Sequence, residues 1–127
     1  MPDPILVDTD VLIDFLRGNE NAAALVRERS ARILLSPIVI AELYAGVKGK
    51  AEMTILEDFI SLFRVVPLTV EIARTGGLYK RDFGKSHGVG LADALLAATV
   101  DAEKAELKTL NVKHYPMFTG LRPAYQK

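Results

Sequence analysis

The 127-residue chain has no cysteine, which excludes disulfides and thiolate metal sites and fits a cytoplasmic setting. No apolar run approaches the ~20 residues that a membrane span requires, so no membrane partner is expected. The opening Met1-Pro2-Asp3-Pro4 lacks a basic start, and the apolar stretch behind it is too short for a signal peptide, so export is not expected. Charge of either sign is not in surplus: 16 Lys and Arg balance 16 Asp and Glu, and bulk electrostatics therefore gives no sign of a nucleic-acid binder. Distribution matters more than the sum. Cations fall in short clusters, at Lys48 and Lys50, at Lys80, Arg81 and Lys85, at Lys108 and Lys113, and at Arg122 and Lys127, each of which reads first as solvated surface. Repeats, linkers and low-complexity segments are also lacking. What is present is globular in character, with 50% hydrophobic and 25% charged residues. That length suits one domain spanning 1–127 with a proper core.

Short apolar runs alternate with helical patterns. Ile5-Leu6-Val7, Ile33-Leu34-Leu35, Val65-Val66 and a segment centred on Leu107 read as strands, with Met117 to Leu121 as an edge strand. Between them, helices are expected from Val11 to Leu16, Asn21 to Ser30, Pro37 to Val47, Ala51 to Phe63, Val70 to Phe83 and Leu91 to Val100. Ser36-Pro37 is a strong start signal, Ser as N-cap and Pro at the first helical position. On the helix from Ala51, Ile55, Leu56, Phe59, Ile60 and Phe63 mark the buried side. Gly84-Lys85-Ser86-His87-Gly88-Val89-Gly90 reads as a Gly-rich turn; it is no phosphate-binding loop, because Tyr79 stands where such a loop needs a glycine. Alternation of this sort implies an α/β fold, a three-layer α/β/α sandwich with a short-stranded, largely parallel central sheet, since parallel neighbours require crossovers.

Three acids stand out against apolar surroundings. Asp8 ends the first strand, at the carboxyl edge where α/β sheets bind ligands. Glu42 is the only charge between Arg32 and Lys48, in a helix apolar nearly all round and hence expected to be buried. Asp93 is the only charge between Lys85 and Asp101, with histidine counted as neutral, in the first turn of another apolar helix. Each has a plainer explanation: Asp8 or Asp10 as a helix cap, Asp93 as an anion favoured by the helix dipole, Glu42 as a surface residue. No Lys or Arg lies in these stretches to neutralise them, and buried carboxylates clustered at one site repel. A bound divalent cation removes the difficulty, and hard oxygen ligands suit Mg²⁺ or Mn²⁺. Asp14, four residues from Asp10 on one helical face, reads as solvent-facing or as supporting the ligands.

Four segments together carry a resemblance. Ile5 to Gly18 (ILVDTDVLIDFLRG), Ser36 to Leu43 (SPIVIAEL), Leu91 to Thr99 (LADALLAAT) and Leu107 to Tyr115 (LKTLNVKHY) resemble, in order and over nearly the whole chain, the PIN-domain ribonucleases, and specifically the VapC-like toxins of toxin–antitoxin pairs. The resemblance implies a PIN-like fold and a Mg²⁺- or Mn²⁺-dependent endoribonuclease, cleaving RNA with a metal-activated water. It further implies a homodimer held inactive by a small cognate antitoxin. It places Asp8, Glu42 and Asp93 as catalytic metal ligands, Asn111 as a fourth catalytic position, and the hydroxyls of Thr9 and Thr109 near the metal. Many relatives carry an acid where this chain has Asn111; an amide offers a neutral oxygen, which reduces charge at a second cation position.

Other classes compete. A non-catalytic RNA- or antitoxin-binding module of the same fold would need none of the three acids. Asp8-Thr9-Asp10 also looks like the nucleophile motif of haloacid-dehalogenase-type phosphatases, but Leu12 departs from that motif and the chain is short for the fold. His87 and His114 form a nominal acid–base pair for metal-free RNA cleavage, although lone loop histidines are more often solvated.

Overall fold

In the computed structural model, which describes residues 3–126, three apolar residues are enough to make each of the central strands. β1 (Ile5–Val7) and β2 (Ile33–Leu35) are buried at every position, so both faces of the sheet are covered, as parallel sheets require. β3 (Arg64–Val65) and β4 (Glu106–Lys108) complete four parallel strands in the order β3-β2-β1-β4. The chain leaves β1 towards β2 on one side and returns as β4 on the other, which makes the gap between β1 and β4 a topological switch point, where α/β sheets open a crevice. Register places Val7 opposite Lys108, and the Asp8 N–H continues the ladder to the Lys108 carbonyl at 2.9 Å.

Six helices flank this sheet in the expected three-layer arrangement: α1 (Thr9–Leu16), α2 (Glu20–Arg29), α3 (Pro37–Ala45), α4 (Gly49–Ile60), α5 (Val70–His87) and α6 (Leu91–Glu103). Their starts are written locally. Asn19, Ser36 and Thr69 each accept a backbone N–H from the first turn of the helix that follows, satisfying donors that would otherwise be orphaned. No helix among the described residues is long and apolar enough to cross a membrane. The reading of Met1-Pro2 and the cation of Lys127 lie outside the described residues.

Several expectations are corrected. The first helix begins at Thr9, because Asp8 itself is the cap. The third helix is not buried all round: Val39 and Leu43 are, whereas Ala41, Glu42 and Ala45 are exposed. Val39 and Leu43, four apart, form the face turned to the core, and Ala41, Glu42 and Ala45 lie on the other side of the helix, so Glu42 reaches water. On α4 Leu56 and Phe59 are buried but Ile55 is 59% exposed. The third strand is Arg64–Val65, and Val66 only adds a hydrogen bond to the Leu35 carbonyl at 2.9 Å. Gly84 to His87 is helical and belongs to α5. The Lys80 side chain lies across Gly84 and its ammonium donates to the Val89 carbonyl at 2.8 Å, which protects the backbone that glycine exposes. The break comes at Gly88, whose φ of 67° ends the helix. Met117 to Leu121 forms turns rather than an edge strand: the Phe118 N–H turns back to the Tyr115 carbonyl at 3.1 Å, and Met117, Phe118 and Leu121 pack on the core as partly buried side chains.

α5 and α6 pack closely at Gly76. A Cβ there would lie 2.6 Å from Leu95 Cδ2 and 3.1 Å from Leu95 Cα, whereas one at Gly77 would meet nothing within 4 Å. Gly76→Ala is therefore expected to cost ~1–3 kcal/mol through forced separation of the helices. Gly77→Ala should instead gain up to ~1 kcal/mol through helix propensity. Urea unfolding of both variants checks the contrast.

Candidate active site

The crevice between β1 and β4 is built around Asp8, which is 6% exposed. Its Oδ1 accepts the Thr9 N–H at 2.8 Å. Its Oδ2 accepts two hydroxyls, from Thr109 at 2.9 Å and from Tyr115 at 2.7 Å. Thr109 reaches it because β4 delivers the next residue beside the end of β1, and Thr109 Oγ in turn accepts the Asn111 N–H at 3.1 Å. The polar run is thus fully satisfied although buried, the condition under which such networks hold a structure in one arrangement.

The other two acids join through intermediaries. Glu42 Oε1 accepts the hydroxyl of Thr9 at 2.6 Å, so α3 is tied to the first turn of α1. Asp93, three residues into α6, has Oδ1 3.2 Å from the Tyr115 hydroxyl and Oδ2 3.1 Å from His114 Nδ1. Burial raises the Asp93 pKa above 3.8, and the charge of Asp8 and, less so, of Glu42 raises it further; His114 and the Tyr115 hydrogen bond work against them. Three carboxylates from three segments therefore feel one another. The burial expected of all three applies to Asp8 alone: Asp93 is half-buried and Glu42 exposed.

Asp10 and Asp14 are more deeply engaged than their sequence context suggests. Asp10 Oδ1 accepts the Val11 N–H at 2.8 Å, and Oδ2 accepts the Leu110 N–H at 3.0 Å and the Asn111 side-chain amide at 3.1 Å. It clamps the loop after β4 onto α1. Burial and the nearby Asp8 raise its pKa, partly offset by the backbone hydrogen bonds from Leu110 and Val11. Asp14 is not solvent-facing; it is buried and its Oδ2 accepts the Tyr125 hydroxyl at 2.7 Å. Tyr115, which no local signal in the sequence marks as functional, lies between Asp8 and Asp93. Burial and the charge of Asp8 push its pKa far up, so it remains a hydrogen-bond donor. The two histidines have different neighbours: His114 faces Asp93, while His87 contacts Ser86 and the Phe83 ring.

The donor set fits a hard cation. Asp8, Glu42 and Asp93 with the Asn111 carbonyl offer oxygen only, and their mutual repulsion is what a divalent ion would relieve. Among the described residues no three acid or histidine side chains stand together as a ready cage, because each carboxylate is held on a neighbouring hydroxyl or ring. Next to Glu42 a groove of about 390 Å³ runs between α1, α3 and α4, with Arg17 and Lys48 on its rim.

The raised carboxyl of Asp93 carries a consequence for stability. Above 3.8 the unfolded chain releases that proton before the folded protein does, so stability falls as pH rises through the folded value. In cation-free buffer, Asp93→Asn is expected to flatten this decline, read by urea unfolding between about pH 4 and 7. His114→Gln removes the opposing charge and should raise the Asp93 carboxyl still further, measured by carboxyl carbon NMR titration.

Residues 5–114 match the PIN domain family. The chain is 41% identical to the ribonuclease VapC19 of Mycobacterium tuberculosis over 124 residues, which is 94% of this chain and 98% of that protein. It is 40% identical to the ribonuclease VapC10 of the same organism, over 95% of this chain and 92% of that protein. Its fold superposes on a chain of a toxin–antitoxin complex from Klebsiella pneumoniae with a TM-score of 0.83, at 24% identity over 97% of this chain and 99% of the other.

Proposed function

The chain belongs to the PIN domain family, and from that premise we propose that it is a Mg²⁺- or Mn²⁺-dependent endoribonuclease and the toxin of a toxin–antitoxin pair. The observation that carries this reading is the convergence of Asp8, Glu42 and Asp93 through Thr9 and Tyr115, an all-oxygen set at the switch point of the sheet. Those three acids would hold the cation, with Asn111 contributing a neutral oxygen. When bound, the ion supplies Lewis-acid stabilisation of charge on the phosphate and makes water acidic enough to attack near neutral pH.

The chain's own residues do the remainder. Asp93 or Glu42 accepts the proton released by the attacking water. His114 Nδ1, 3.1 Å from Asp93 Oδ2, keeps that carboxylate oriented. Thr9 fixes Glu42. Arg17 and Lys48, on the groove that Glu42 lines, bind the phosphates of the RNA, and the affinity falls with salt accordingly. An open, largely apolar groove beside Glu42 suits single-stranded RNA, whose bases are free to splay.

The partner in this reading is a small cognate antitoxin, because the structural neighbour from Klebsiella pneumoniae is a toxin–antitoxin complex and the curated relatives are VapC ribonucleases. A cytoplasmic homodimer completes the proposal. The phosphatase alternative loses ground to the geometry: the second Asp of its motif, Asp10, is taken up by Val11, Leu110 and Asn111.

Asp8→Asn and Asp93→Asn should each abolish Mg²⁺-dependent cleavage of single-stranded RNA while the circular dichroism spectrum stays native. Adding Mn²⁺ to chelator-treated wild type should raise Tm by mass action. Undiminished cleavage by either variant sinks the active-site assignment, and a wild type that binds RNA without cleaving it under any divalent ion would favour the non-catalytic module.

A further inference from the structure

We propose that Tyr115 is a positioning residue of this site, the hydroxyl that fixes which oxygen of Asp8 faces a cation. The inference rests on the reading of the acids as a cation site and goes beyond it by assigning a role to a residue outside the oxygen ligands. A carboxylate oxygen has two lone pairs. Asp8 Oδ2 uses both, on the hydroxyls of Thr109 and Tyr115 at 2.9 and 2.7 Å. Asp8 Oδ1 uses one, on the Thr9 N–H at 2.8 Å. The remaining lone pair on Oδ1 is therefore the one Asp8 presents to a ligand, and the two hydroxyls prevent the carboxylate from rotating to exchange its oxygens.

Thr109 also approaches Asp10, at 3.5 Å, but Tyr115 is the member of that pair that reaches from Asp8 to Asp93. Its hydroxyl is shared between them, donating to Asp8 Oδ2 at 2.7 Å and, at the longer distance of 3.2 Å, to Asp93 Oδ1. One rigid ring thus sets the spacing between two carboxylates, one just past the end of β1 and the other on α6. The ring is itself immobilised, 1% exposed and stacked on Phe118 with centroids 6.4 Å apart. Groups that orient metal ligands in this way tune affinity about 10–100-fold when removed.

The test is Tyr115→Phe, which keeps the ring and its stack and deletes the oxygen. Mn²⁺ affinity is measured on chelator-treated protein by calorimetry and by the dependence of Tm on Mn²⁺ concentration, beside RNA cleavage. The expected result is native circular dichroism, Mn²⁺ affinity about tenfold weaker than wild type, and cleavage that recovers towards wild type as Mn²⁺ is raised. Phe118→Leu, which removes only the stacking partner, should leave Mn²⁺ affinity within about twofold if the hydroxyl, rather than general loosening of the core, is responsible. Wild-type affinity in Tyr115→Phe overturns the proposal while leaving the cation site standing. A wild type with no Mn²⁺ response overturns both, so the two failures are told apart by the wild-type measurement alone.

Discussion

A buried carboxylate at the end of the central strand is the constraint that organises this molecule. Asp8 sits where β1 stops, between two parallel neighbours, and a charge there is stable only if its oxygens are answered. Each answer fixes another part of the chain. The Thr9 N–H starts α1 on the Asp8 cap. The Thr109 hydroxyl requires β4 to lie beside β1 in the observed register. The Tyr115 hydroxyl pulls the segment after β4 back over the sheet end. One aspartate thereby specifies a helix start, a strand register and the path of a loop, in an α/β fold whose strands are too short to specify much by themselves.

The same device recurs nearly two turns further along α1. Asp14 is buried and accepts the Tyr125 hydroxyl, while the Ala124 N–H donates to the Thr109 carbonyl at 2.8 Å. The segment before the C-terminus is thus held at both α1 and the residue that carries the Asp8 hydroxyl partner. Asp10 lies between these two stations and binds the intervening loop through the Leu110 N–H. Three acids of one short helix region are each matched to the polypeptide from 109 to 125, with phenol and threonine hydroxyls or backbone amides as donors. Burial, and after it the charge of Asp8, makes Asp10 and Asp93 hold their protons more tightly than ordinary aspartates; the neutral donors offset this only in part and leave the negative charge of the region in place, so the site favours a cation rather than an anion.

Much of this was legible in the sequence, and the rest was hidden for identifiable reasons. Ser36-Pro37 announced α3 to the residue, and Ile5-Leu6-Val7 and Ile33-Leu34-Leu35 announced the inner strands, since caps and apolar runs are local signals. The solvation of α3 was not legible: Ala41 and Ala45 read as core by composition, but small side chains cost little at a surface, and only the tertiary packing decides whether anything covers them. Gly84 to His87 read as a turn because glycine weakens helices, yet Lys80 lying over Gly84 supplies tertiary cover that no propensity anticipates. Met117 to Leu121 had strand-like residues, but its backbone turns back on Tyr115 and its apolar side chains are spent on the core. At the site, the acids drew attention because charges are conspicuous in apolar sequence. Tyr115 did not, because a phenol in a loop looks like an ordinary aromatic until a fold brings it across 107 residues to Asp8.

Asn111 shows how closely ligand chemistry and fold are joined here. Its amide nitrogen donates to Asp10 Oδ2 at 3.1 Å, beside a carboxylate already subject to the charges of Asp8 and Asp14. An acid at 111 would have no proton to offer there at neutral pH and would add a further like charge to that group. The amide does two things that a carboxylate cannot do together: it satisfies Asp10 from one end and leaves a neutral oxygen at the other. The departure from a fourth acid is therefore consistent with the loop clamp that Asp10 provides, and any cation site in this crevice has its negative charge concentrated on Asp8, Glu42 and Asp93.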